Sequence, residues 1–184
     1  MANFFDSINP KLQAFIEAQK IFFTATAAAE GRINLSPKGL DSLRVVDPNR
    51  VVWLNLTGSG NETAAQLREV NRITLMFCSF EEKPLILRLY GSARTIHPKD
   101  GEWETLYQLF PDDNGARQIF DVSIESVQTS CGFAVPLMEF QQEREVLTDW
   151  SSKQGKKGIK AYWEKKNQVS IDGLPTGIFD NTVL

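Results

Sequence analysis

The sequence has few of the side chains on which hydrolytic and metal chemistry depend. Its 184 residues include one histidine, His97, and two cysteines, Cys78 and Cys131. Because these three residues are far apart in sequence and cannot supply the nitrogen and sulfur ligands of a zinc centre, we expect no metal site. His97 is the only candidate base for a serine or cysteine triad. Pro98 follows it, so we expect an exposed residue at a strand-to-helix junction, which disfavours triad hydrolysis.

Long apolar runs and a large excess of one charge are also missing. No run approaches the ~20 apolar residues that a membrane-spanning helix needs, and residues 1–10 lack the basic and apolar regions of a secretory signal. With 20 Lys and Arg against 23 Asp and Glu, the net charge is −3, which disfavours sequence-independent binding to nucleic acid. Two widely separated cysteines are typical of a reduced protein, and a single disulfide between them is the alternative. We therefore expect a cytoplasmic protein that binds neither membrane nor nucleic acid.

What the sequence does contain is a series of β-strand patterns. At 42% hydrophobic residues, the chain can bury the core of one domain. Short runs rich in β-branched and aromatic residues predict six strands, at residues 21–26, 33–36, 51–56, 73–78, 85–96 and 119–129. Glu30-Gly31 separates the first two strands, which predicts a hairpin. Gly91 interrupts the fifth strand, as glycine does where a barrel strand bends.

Helical patterns lie between and after the strands. Asn9-Pro10 combines a helix cap with proline at the first helical position and predicts a helix over residues 10–19. Ser59 and Glu62 have the spacing of a capping box and predict a helix directly after the third strand. Further helices are predicted over residues 98–110, 144–154 and 158–167, and an extended, turn-rich tail over residues 170–177.

The stretch from residue 31 to residue 63 contains the groups of an anion site. Lys38 stands where the predicted hairpin ends, and Ser59 and Thr63 flank the start of the following helix. Free backbone N–H groups, the helix dipole, two hydroxyls and an ammonium group suit a phosphate ester. On spacing alone, a helix start that binds nothing is the alternative, because capped helix starts with glycines are common.

Six segments occur in a fixed order along the first 100 residues: 22–26, 30–38, 53–59, 62–67, 71–73 and 87–91. This ordered set resembles the pyridoxamine 5′-phosphate oxidase-like FMN-binding family. The resemblance implies a mainly β, α+β fold: a six-stranded antiparallel split β-barrel of Greek-key topology. It further implies a homodimer with FMN at the subunit interface. We expect residues 1–136 to form the FMN-binding domain, and residues 137–184 to form a helical appendage and extended tail packed on the barrel or on the partner.

The resemblance also assigns cofactor-binding residues. It places Asn34, Leu35, Ser36, Pro37 and Lys38 along the isoalloxazine ring and the ribityl chain. It places Thr57, Ser59, Asn61 and Thr63 along the ribityl chain and the phosphate. Arg88 is a further candidate for cofactor binding. The oxidases of this family carry a basic pair at the helix start, where this chain has Glu62-Thr63. Lys38, Arg72 or Arg88 would therefore have to supply the positive charge that a phosphate dianion requires.

A second departure concerns the reaction. Authentic oxidases of the family carry a basic, histidine-containing motif near the C-terminus, whereas residues 170–184 contain neither arginine nor histidine. We therefore do not expect vitamin B6 oxidation. We expect an FMN-dependent oxidoreductase that transfers hydride or electrons to or from an unidentified small molecule. The alternatives are a non-catalytic sensor or store that binds flavin, deazaflavin or heme, and a structural dimer with a vacant cleft.

Overall fold

In the computed structural model, which describes residues 2–180, eight antiparallel strands form one sheet. The strands are β1 (Asn3–Phe5), β2 (Phe22–Thr26), β3 (Asn34–Lys38), β4 (Leu43–Asp47), β5 (Arg50–Leu56), β6 (Ile73–Cys78), β7 (Ile86–Ile96) and β8 (Ala116–Ser130). The helices are α1 (Pro10–Ala18), α2 (Glu62–Glu69), α3 (Trp103–Tyr107) and α4 (Val146–Lys166). The predicted mainly β, α+β fold with a C-terminal helix is confirmed. Residues 181–184 of the predicted appendage lie outside the described residues.

Strand neighbours in the sheet are not always neighbours in sequence. The strand order is β3-β2-β6-β7-β8-β5-β4. Strand β1 is not part of this linear order and pairs with β8. The two long strands, β7 and β8, are paired over most of their length, from Ile86 opposite Ser130 to Ile96 opposite Ile119. Because β2 pairs with β6 and β5 pairs with β8, the ends of β3 and β5 and the start of α2 are brought to one place.

The six predicted strands are present, and β1 and β4 are additional. All three residues of β1 are exposed. The strand therefore lacks the alternation of apolar and polar residues by which a strand is predicted from sequence. Strand β4 is short and only half-buried, and its pairing with β5 shifts register between Val45 and Asp47. Helix α3 is shorter than the predicted 98–110. The Asp100 carboxylate accepts the N–H of His97 at 2.8 Å and forms a turn before the helix begins.

The core contains the aromatic residues of the central strands. Trp53 stacks on Phe120 with ring centroids 4.3 Å apart, and Phe22 stacks on Phe77 at 5.6 Å. Trp53 is fully buried in the main core, and Trp103 is buried in a second cluster beneath α3. Both tryptophans therefore fill the core. Aromatic pairs of this kind contribute packing energy beyond their buried area.

Helix α1 begins as its sequence predicts. The Asn9 side-chain oxygen accepts the N–H groups of Lys11 and Leu12 at 3.0 and 3.1 Å, and Pro10 stands at the first helical position.

Helix α4 is interrupted at Gly155, whose φ of 60° and ψ of 175° are non-helical. The two helices predicted on either side of residues 155–158 thus meet at this kink. Within residues 2–180, no helix combines the length and apolarity needed to cross a membrane.

Candidate functional site

A cleft of about 560 Å³ lies between β3, the end of β5 and the start of α2. Its volume is in the range of small-molecule sites. The lining is largely polar: Asn34, Ser36, Lys38, Asn55, Leu56, Gly58, Ser59, Gly60, Asn61, Glu62, Thr63, Arg117, Lys166, Val169, Ser170 and Ile171. Hydroxyls, amides and cations therefore surround a space that a polar, anionic molecule can enter.

A buried hydrogen-bond network joins β3 to α2 and fixes one wall of the cleft. The Asn34 amide donates to the hydroxyls of Thr26 and Thr63, both at 3.0 Å. The Thr26 hydroxyl donates to the Gln66 carbonyl oxygen at 2.7 Å, and the Gln66 amide donates to the backbone oxygen of Arg32 at 2.8 Å. Because the four side chains of Thr26, Asn34, Thr63 and Gln66 are buried and paired, the network holds the wall in one geometry.

Arg117, in β8, lines the cleft and is almost completely buried. Its Nη1 donates to the backbone oxygen of Gly60 at 2.8 Å and to Asn167 Oδ1 at 2.9 Å. Its Nε has no hydrogen-bond partner within residues 2–180. Burial lowers the pKa of Arg117 to about 10, so the guanidinium is charged at neutral pH. A buried cation with an unpaired donor is costly unless an anion approaches it.

Lys38, at the end of β3, is the second cation of the cleft that is withdrawn from solvent, whereas Lys166 also lines the cleft but is exposed. Burial, and then the positive charge of Arg117, lower the pKa of Lys38 to about 8. No carboxylate in the described part of the chain contributes to the pKa of either cation or forms an ion pair with it. Lys38 and Arg117 therefore create an excess of positive charge that a ligand anion can neutralise.

The start of α2 differs from the predicted capping box, and that prediction is wrong. The N-cap residue is Asn61, and its side chain does not bond to the helix N–H groups. It accepts Gln118 Nε2 at 2.7 Å and donates to the backbone oxygen of Asn167 at 3.3 Å. The Glu62 carboxylate accepts the N–H of Ile171. Contacts with β8 and the C-terminal segment, both distant in sequence, thus replace the local cap.

The structure brings together six of the ten residues assigned to the cofactor. Those lining the cleft are Asn34, Ser36, Lys38, Ser59, Asn61 and Thr63. Leu35 and Pro37 alternate with them on β3, and both are exposed. Thr57 is buried, where its hydroxyl donates to the backbone oxygen of Gly115 and accepts Trp163 Nε1, both at 2.8 Å. Arg88 lies on β7 outside this cleft and donates to the Ser130 hydroxyl at 3.3 Å.

Arg117 is the residue that the sequence did not reveal. It precedes the apolar run on which the strand prediction rests, and an arginine at a strand end is ordinarily a solvated residue. Only the pairing of β8 with β5 and the docking of Asn167 bury it beside the cleft. No local signal in the sequence distinguishes it from an exposed arginine.

The single histidine and the two cysteines do not line the cleft. His97 was expected at the surface, but the residue is only 7% exposed and lines a different cavity. Burial lowers the pKa of His97 to about 4, so it is neutral at pH 7. Cys78 is buried, Cys131 is exposed, and both are free thiols. Residues 2–180 contain no group of three or more His, Cys, Asp or Glu side chains arranged to hold a metal ion.

Together, the antiparallel sheet and the polar cleft define a mainly β-protein with a cavity of small-molecule size that contains Lys38 and Arg117. The family described as pyridoxamine 5′-phosphate oxidase matches residues 8–131, more than half of the chain. The family protein ustO of Aspergillus flavus is 33% identical over 195 residues, covering 95% of this chain and 78% of its own length. The chain belongs to the pyridoxamine 5′-phosphate oxidase family.

Solved structures show the same fold. HupZ of Group A Streptococcus superimposes with a TM-score of 0.52 at 20% identity, over 65% of this chain and 91% of HupZ. A provisionally assigned pyridoxamine 5′-phosphate oxidase of Lactobacillus delbrueckii gives a TM-score of 0.54 at 16% identity, over 67% of this chain and 94% of its own. The predicted split-barrel fold is therefore confirmed, with eight strands instead of six in the described residues.

Proposed function

We propose that the protein is an FMN-binding flavoprotein that acts as an oxidoreductase on a small molecule. The observation that carries this proposal is the pair of neighbouring, uncompensated cations, Lys38 and Arg117, in the lining of the polar cleft. The unpartnered Arg117 Nε fits a phosphate group, since buried donors require an acceptor. FMN, when bound, supplies hydride or electron transfer.

The residues of the cleft divide naturally between the parts of such a cofactor. Lys38 and Arg117 would hold the phosphate, with the hydroxyl of Ser59 nearby in the lining. Asn34 and Thr63 would border the ribityl hydroxyls, because their side chains are fixed in the wall of the cleft. These residues bind and orient the cofactor, and the chemistry needs no histidine or cysteine from the chain.

Flavin is favoured over heme by the absence of a histidine from the cleft. His97, the only histidine of the sequence, lines a separate cavity, and haem proteins commonly use histidine as an axial ligand. A non-catalytic flavin or deazaflavin module is the alternative function. The absorbance spectrum of the purified protein distinguishes these cofactors, and anaerobic stopped-flow mixing with NADH or NADPH tests catalysis. Reduction no faster than that of free FMN would contradict the oxidoreductase proposal.

The proposed assembly is a homodimer with FMN at the interface between its subunits. Strand β3 ends the sheet order, and its exposed Leu35 and the neighbouring Ile33 present apolar surface beside the cleft, 66% and 78% exposed. Apolar surface at an exposed sheet edge favours association with another chain. Arg88 remains a candidate to reach the cofactor from the partner subunit. Light scattering after size-exclusion chromatography checks the dimer, which a monomer at micromolar concentration would contradict.

We expect the affinity for FMN to fall as the pH rises above the pKa of Lys38. The pKa of Lys38 is about 8 in the free protein, and a bound phosphate would raise it. The complex therefore holds a proton that the free protein loses above pH 8. The dissociation constant should rise by up to about tenfold per pH unit above that point. Flavin fluorescence quenching at pH 7 and pH 9 measures it, and Lys38→Met should abolish the dependence. An unchanged profile in that variant would contradict the assignment.

A further inference from the structure

The segment formed by residues 167–172, called here the C-terminal strap, makes one wall of the cleft. Val169, Ser170 and Ile171 line the cleft together with residues of β3 and the start of α2. At the start of the strap, buried Asn167 accepts Arg117 Nη1 at 2.9 Å and donates to the backbone oxygen of Gly58 at 3.0 Å. The strap is therefore anchored beside one of the two cations.

A second anchor holds the other end of the strap. The Asp172 carboxylate accepts the backbone N–H of Arg32 at 2.8 Å and forms an ion pair with its guanidinium. Gly31, at a φ of +91°, packs against this carboxylate so closely that a side chain on residue 31 would displace it. The strap thus crosses from β8 to the loop before β3 and is held at both ends.

Between the two anchors, the strap binds Glu62, the residue that replaces the basic start of α2. Both oxygens of the Glu62 carboxylate lie 3.1 Å from the backbone nitrogen of Ile171. Glu62 itself lines the cleft. A carboxylate in a cleft with two uncompensated cations would ordinarily pair with them, because opposite charges attract strongly where water is limited. Within the described residues, Glu62 forms no ion pair with Lys38 or Arg117.

We propose that the strap is a positioning element that keeps Glu62 away from the two cations. By holding the Glu62 carboxylate on the Ile171 N–H, it leaves Lys38 and Arg117 free for the anionic group of the ligand. If the strap is loosened, Glu62 neutralises the cations from within and competes with the ligand. This inference rests on the proposed function, in which the anionic group is the phosphate of FMN. It explains how a helix start with an acidic residue is compatible with a phosphate site.

The test removes the second anchor with Asp172→Ala. We expect the FMN dissociation constant to rise about tenfold, because an internal carboxylate then competes with the phosphate. Riboflavin, which has the same ring and ribityl chain but no phosphate, should bind the variant and the wild type equally. Adding Glu62→Gln to Asp172→Ala should restore FMN affinity, since the competing charge is gone. Arg32→Gln provides a second way to weaken the anchor.

The matched control is Asp180→Ala, which removes another C-terminal carboxylate. Asp180 pairs with Arg68 at 2.8 Å, and neither residue lines the cleft. This variant should bind FMN as the wild type does. Equal FMN affinity in Asp172→Ala and the wild type overturns the proposal. So does a double variant that binds FMN as weakly as Asp172→Ala, or an equal loss of riboflavin affinity.

A second measurement needs no cofactor. In protein labelled with ¹³C at the lysine ε-carbons, NMR titration reports the pKa of Lys38, which is about 8 in the structure described. Asp172→Ala should raise this pKa because Glu62 then pairs with the ammonium group, and Glu62→Gln should remove the rise. A pKa that Asp172→Ala leaves unchanged overturns the proposal. Failure of the wild type to bind FMN overturns the proposed function instead. The titration of Lys38 would still show whether the strap keeps Glu62 away from Lys38.

Discussion

Lys38→Met is expected to weaken FMN binding ten- to a hundredfold. A charge-assisted hydrogen bond to a phosphate is worth roughly 1.5–3 kcal/mol, which corresponds to that range. Methionine retains most of the side-chain volume, so the loss comes from the charge rather than from a cavity. Fluorescence quenching measures the dissociation constant. Riboflavin binding should change little, because riboflavin has no phosphate to contact Lys38.

The same substitution should stabilise the protein without ligand. The pKa of Lys38 is about 8 in the folded protein, against 10.5 as the ordinary value. Below pH 8 both states are protonated, and the folded state bears the full cost of the buried charge. Between pH 8 and 10.5 the unfolded chain binds more protons, so the stability of the wild type rises with pH. Taken in full, the lowered pKa corresponds to about 3 kcal/mol at pH 7. Because Lys38 is only half-buried and water screens part of its charge, the variant should be more stable by about 1–2 kcal/mol at pH 7, and the difference should shrink towards pH 10.

Opposite effects on binding and stability are the signature of a charge retained for a ligand. Lys83→Met, in the exposed turn between β6 and β7, is the control and should change neither quantity by much. Urea unfolding at pH 7 and pH 10 measures stability. A Lys38→Met variant that binds FMN with wild-type affinity would remove Lys38 from the phosphate site. One that loses riboflavin binding equally would indicate a general disturbance of the cleft.

Gly91→Ala is expected to lower the free energy of unfolding by about 3 kcal/mol, the upper part of the range for overpacking. Gly91 lies in β7 where the pairing with β8 shifts register, between Tyr90 and Gly91. An added Cβ would overlap the backbone oxygen of Ser123 on the neighbouring strand. A backbone atom cannot rotate aside as a flexible side chain can, so the strands must separate. Urea denaturation monitored by tryptophan fluorescence measures the loss.

Gly101→Ala is the matched control for this prediction. An added Cβ at Gly101 meets no atom within 4 Å, so the unfolding free energy should stay within about 0.5 kcal/mol of the wild type, as for most surface substitutions. Similar unfolding midpoints for the two alanine variants would show that β7 and β8 can yield at Gly91. A large difference would confirm that the glycine is required for the close approach of the strands.

Local patterns accounted for most of the secondary structure. The helix at Asn9-Pro10, the six strands and the break in α4 near Gly155 depend on neighbours in sequence, and the structure agrees with them. Two of the failures have a common cause, a contact with a segment that is distant in sequence. The exposed strand β1 forms because β8 offers it a partner, and the cap of α2 is replaced by contacts to Gln118 and Asn167. Hydrogen bonds between distant segments leave no trace in local periodicity.

The ordered segments of residues 22–91, through their resemblance to a known family, predicted the fold, the family and the approximate location of the cleft, and the scarcity of histidine and cysteine disfavoured metal and triad chemistry. Only the tertiary structure decided the electrostatics of the cleft. It buried Arg117 beside Lys38, moved Thr57 into the contact with α4, and turned Glu62 towards the strap. The physical reason is that burial and charge pairing are properties of three-dimensional neighbours, whereas strand and helix patterns are properties of neighbours along the chain.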